Sequence, residues 1–133
     1  MLRAAYFRFV ATVIVAITCA ACRSAPKQEA KQPQVGWRSI GSWSGQGNTQ
    51  TDSFNIESTQ WRIKWETTGA GAFTLVVHSA VSGRPILAAV DHNGAGKGIA
   101  YVTEDPRLYH LVIESSSVDW SIQVEEAVVG YPL

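Results

Sequence analysis

Three histidines, two cysteines and five tryptophans carry most of the chemical potential of this 133-residue chain. A zinc site needs three or four ligands that converge. His78, His92 and His110 lie in separate segments with no spacing that brings them together, so no metal is assigned. Gly41-Ser42-Trp43-Ser44-Gly45 has the glycines of a nucleophile elbow, but Trp43 stands where the serine belongs. No nucleophile is paired with a base by any readable spacing; the chain is expected to be no enzyme, with no catalytic residue and no cofactor. Residues 91–98, Asp-His-Asn-Gly-Ala-Gly-Lys-Gly, superficially offer a phosphate cradle. A P-loop has a glycine five residues before its Gly-Lys pair and Ser or Thr after the lysine; here those positions are Asp91 and Gly98. Asn93-Gly94 favours a tight turn instead. Asp91 and Asn93 offer oxygens to calcium, without the spacing or terminal glutamate of an EF-hand.

Stacking is the chemistry that remains. Trp37 and Trp43, flanked by Ser and Gly, are the expected exposed pair, able to lie against sugar rings or a partner's apolar patch. Tyr101 is a candidate third ring. Trp61, Trp65 and Trp120 sit in clean alternations and are expected in the core.

Those alternations define the elements that must position any site. In residues 60–66, Trp61, Ile63 and Trp65 alternate with Arg62, Lys64 and Glu66, which is a strand with one buried and one wet face. Further strands are expected at 37–43, 51–56, 73–78, 86–90, 99–103, 108–114 and 118–125, separated by turn residues, with no helical periodicity between them. About eight short strands at near-regular spacing read as an all-β fold, an antiparallel β-sandwich or jelly-roll-like domain over residues 36–133. A chain of this size can build such a core without disulfides. Both cysteines, Cys19 and Cys22, lie before it.

Residues 1–9 carry Arg3 and Arg8 and no acid, and 10–21 are an apolar run too short to span a bilayer. This is the pattern of a secretory signal peptide. Its end, Cys19-Ala20-Ala21-Cys22, resembles a bacterial lipoprotein box, with small residues before an invariant cysteine. The resemblance implies removal of 1–21 and lipidation of Cys22, the first mature residue. Cys19 departs from the aliphatic residue usual three positions before that cysteine, which keeps cleavage by an ordinary signal peptidase open. Arg23 rather than aspartate after the cysteine resembles outer-membrane lipoproteins in a Gram-negative cell. Residues 22–35, with Pro26, Pro33 and several glutamines, bury too little to order themselves and read as a tether.

Lys and Arg balance Asp and Glu at eleven each, which leaves no electrostatic footprint for nucleic acid. The series Trp43-Ser-Gly-x-Gly, Thr51-x-x-Phe54-x-Ile56, Trp61-x-Ile63-x-Trp65, Tyr109-x-Leu111-x-Ile113 and Trp120-x-Ile122-x-Val124-Glu125 resembles a recurrent domain of small bacterial lipoproteins and secreted proteins. More loosely, it is similar to the pre-peptidase C-terminal sandwich domain, a non-catalytic module. The implied protein is a lipid-anchored module of the bacterial cell envelope, binding or structural, with an envelope protein or a glycan as partner. A carbohydrate- or peptidoglycan-binding module and a periplasmic enzyme or enzyme inhibitor are the alternatives.

Overall fold

The computed structural model describes Gln34–Gly130. The expected signal peptide, Cys22 and most of the expected tether lie outside the described residues. Nine strands and no helix are present among the described residues: β1 (Gln34–Gln46), β2 (Thr49–Gln50), β3 (Phe54–Ile56), β4 (Gln60–Gly69), β5 (Ala72–Ser79), β6 (Pro85–Asn93), β7 (Gly96–Thr103), β8 (Arg107–Ser115) and β9 (Val118–Gly130). They form two antiparallel sheets. One has the order β1-β9-β4-β7; the other has the order β2-β8-β5-β6, with β3 also paired to β8. β2 and β3 thus act as two pieces of one edge strand, and the chain is an antiparallel β-sandwich with jelly-roll strand order.

The chain crosses from one sheet to the other at nearly every connection. Only β5 and β6 are both consecutive and paired. Where β2 gives way to β3, Thr51 maintains the ladder: its N–H donates to the Leu111 carbonyl and its hydroxyl accepts the Leu111 N–H, each at 2.9 Å. Residues 91–98 fold as strand ends around a short turn, with Gly94 at φ 83° and its N–H donating to the Gly71 carbonyl. The positive φ explains the glycine.

The core fills from both inner faces, as strand alternation requires. Trp61, Ile63, Ile122 and Val124 from the four-stranded sheet meet Phe73, Leu75, Val77, Tyr109, Leu111 and Ile113 from the other. Trp61 is fully buried, with its ring 5.0 Å from Tyr109 and 5.7 Å from Phe54. Trp65 faces the same way but is only half-buried, at the flank of the core. It stacks on Phe73 at 6.0 Å, and its indole lies where a Cβ on Gly98, its partner across β4–β7, would have to be.

Charge enters this core at one end. Glu126, opposite Trp61 on β9 and 1% exposed, points inward. One carboxylate oxygen accepts the N–H groups of Glu57 (2.9 Å) and Ser58 (3.3 Å), and the other is ion-paired to Arg38 on β1. The carboxylate therefore fastens the β3–β4 turn to the sheet. A buried carboxylate is tolerable only with such partners.

Candidate functional site

The outer face of the β1-β9-β4-β7 sheet is where the register brings separate polar residues together. Antiparallel pairing sets Ser42, Gln123, Lys64 and Ile99 in one row across the four strands. The next row on the same face is Ser44, Ser121, Glu66 and Lys97. Strand spacing of about 4.8 Å makes each row roughly 14 Å long. These eight residues line an open groove of ≈ 750 Å³, floored by the backbone of Trp43, Trp65, Gly98 and Ile122. That volume lies within the range of about 300–1,000 Å³ usual for ligand sites.

At one end of the groove a third row holds Ser39, Glu125, Arg62 and Tyr101. Arg62 donates to the Glu125 carboxylate at 3.3 Å, and its guanidinium lies 4.0 Å from the centre of the Trp37 ring. Trp37 is in turn 6.1 Å from Tyr101, which is 63% exposed. Lys64 also approaches Glu125, at 3.7 Å. One carboxylate and one ring thus hold the arginine, and Tyr101 presents a ring to solvent beside the groove.

Trp37 and Trp43 do not form the expected pair. Six positions apart on one strand, they would share a face, but β1 shifts register between Ser39 and Gly41. Their partners on β9, Ala127 and Ile122, are only five apart. A bulge of this kind reverses the alternation beyond it. Trp37 therefore lies on the outer face, whereas Trp43 turns inward against Phe54, with ring centres 5.6 Å apart, over Gly41. Of the candidate rings, Tyr101 is exposed, and Trp37, held between Arg62 and Tyr101, is half-buried.

The histidines are placed unevenly. His78 and His110 face each other across β5–β8 on the outer side of the second sheet, with rings stacked at 5.2 Å. Burial, and secondarily the neighbouring His78, hold the His110 pKa below the ordinary histidine value. His78 Nδ1 lies 3.1 Å from the Gly83 carbonyl, where it serves as a donor. His92 is separate, 5.0 Å from Trp65. Among the described residues, no three His, Cys, Asp or Glu side chains converge as metal ligands.

The polar rows are not legible as a site in the sequence. Ser42, Lys64, Lys97 and Ser121 come from four strands, and each alone reads as the wet half of an alternation.

No family model and no curated protein matches this chain. Among solved structures, a chain in the structure of infectious bursal disease virus, Gx strain, aligns with it at 15% identity and a TM-score of 0.36. The alignment covers 75% of this chain and 32% of the viral chain, so this chain spans about a third of that chain's length.

Proposed function

We propose that this protein is a non-catalytic binding module of the bacterial cell envelope, lipid-anchored through Cys22, that works through the outer face of its β1-β9-β4-β7 sheet. The observation that carries the binding face is the groove itself. The hydroxyls of Ser42, Ser44 and Ser121 make no hydrogen bond among the described residues, and Lys97 and Glu66 make no ion pair among them. Four strands thus display a lattice of uncommitted donors and acceptors beside an exposed aromatic ring.

The anchor rests on the apolar run and Ala20-Ala21-Cys22. Residues 23–33, however arranged, span at most roughly 40 Å, so the partner lies in or beside the layer that holds the lipid. Several acyl chains on one cysteine give stable attachment, because one chain alone holds only marginally.

The test is photocrosslinking in the native cell, with a photoreactive amino acid at Ser42 in the full-length chain and, in a second strain, at Thr74 on the outer face of the other sheet. Ser42 yields a discrete adduct and Thr74 does not. Adducts from Thr74 alone would remove the proposed face.

A further inference from the structure

We propose that the groove takes peptidoglycan, a glycan strand built of N-acetylated amino sugars whose peptide stems carry carboxylates. This inference rests on the reading of the outer sheet face as the binding surface and adds the ligand class.

The composition of the groove argues against a protein partner. Interface cores between proteins are depleted in charge and rich in large apolar side chains. Here the two central rows carry Lys64, Glu66 and Lys97 among serines, with Ile99 as their one outward-facing large apolar residue. Sugars present hydroxyls that both donate and accept, and these match serine hydroxyls, a glutamine amide and a carboxylate such as Glu66. Gln123 uses one N–H, on Ser39 at 3.4 Å, and keeps its carbonyl and second N–H for a ligand. The apolar face of a pyranose ring needs a flat partner, and Tyr101 lies beside the end of the row in which Ile99 stands.

Two features narrow the class. Ile99 is 45% exposed within an otherwise polar row, so a ligand that covers it gains by placing a methyl group there. An acetamido group supplies that methyl, while Gln123, two strands away in the same row, is left for hydroxyls of the neighbouring sugar. The cations are in excess as well. Arg62, Lys64 and Lys97 stand against Glu66 and Glu125 in the three rows; Glu125 is shared by Arg62 and Lys64, and Lys97 sits opposite Glu66 without an ion pair between them. The groove therefore offers Lys97, and one side of Lys64, to an anionic substituent, with Glu66 left to accept from hydroxyls.

The experiment uses full-length protein in detergent. Its probes are purified insoluble sacculi, an N-acetylglucosamine hexamer as neutral acetamido control, and polygalacturonate as acidic control without acetamido groups. Sacculi bind most tightly, the neutral hexamer binds more weakly, and polygalacturonate is weakest. The double variant Lys64→Gln/Lys97→Gln weakens binding to sacculi about tenfold, the loss of one charge-assisted contact, and leaves the hexamer within about twofold. Tyr101→Ala weakens both. Equal binding of polygalacturonate and sacculi would overturn the acetamido claim, and failure of every glycan to bind would overturn the glycan class. If glycans fail while Ser42 crosslinks to a protein, the face stands and only the ligand class falls. If sacculi bind but none of these variants changes the affinity, the face itself is wrong.

Discussion

Arg38 and Glu126 face each other across β1 and β9 on the inward side of the sheet, and the carboxylate also holds the backbone of Glu57 and Ser58. Their environments are unequal: the Arg38 side chain is 54% exposed and that of Glu126 is 1% exposed. Glu126→Ala leaves two N–H groups and a cation without their acceptor and is expected to cost about 3–5 kcal/mol. Arg38→Ala strands the buried carboxylate with only its two N–H donors and should also cost about 3–5 kcal/mol. Urea denaturation midpoints measure both losses, and a loss of about 1 kcal/mol or less for Glu126→Ala would mean that Glu126 does not hold the β3–β4 turn.

The aromatic core gives a graded series. Trp61→Ala should cost about 3–5 kcal/mol, as for other buried large aromatics. Trp65→Ala should cost less, because its indole lies at the flank of the core, half-buried. Lys64→Ala, on the wet face between them, should change stability by about 0.5 kcal/mol or less. A Trp65 loss equal to that of Trp61 would contradict the observed flank position.

The strands with regular alternation were legible before any coordinates. Trp61 and Ile63 on β4, Tyr109, Leu111 and Ile113 on β8, and Trp120, Ile122 and Val124 on β9 all point inward as their spacing requires. β1 was not legible in the same way. Its inner positions include Gly41 and Gly45, which carry no hydrophobic signal, and its bulge at Ser39–Gly41 separates two tryptophans that count alone would unite. Glu125-Glu126 reads in the sequence as a strand end, and the burial of Glu126 is not legible there because its N–H donors come from residues about seventy positions away. The groove is not legible in the sequence because it exists only through the register of four strands.

Stability should fall as pH drops through the histidine range. The His110 pKa is lower in the folded state than in the unfolded chain, so the unfolded state binds more protons below about pH 6.5. The stability due to neutral His110 is complete above that pH and is lost progressively on acidification. Thermal melts between pH 7 and 5 should show a falling Tm for the wild type and a flatter profile for His110→Gln. Identical pH slopes would show that His110 protonates as freely in the fold as outside it.

Attachment has its own test. With Cys22→Ser, an unlipidated precursor should accumulate and incorporation of a labelled fatty acid should disappear. Equal label in the wild type and the variant would contradict lipidation at Cys22.

The most direct measurement of the central claim is amide chemical-shift mapping of the isotope-labelled full-length protein, titrated with muramidase-solubilised peptidoglycan fragments. Perturbations are expected at Ser42, Ser44, Lys64, Glu66, Lys97, Ile99 and Ser121, and none at Thr74, Val76 or Glu114 on the outer face of the other sheet. Perturbations confined to that second face, or none at saturating fragment, would contradict the claim.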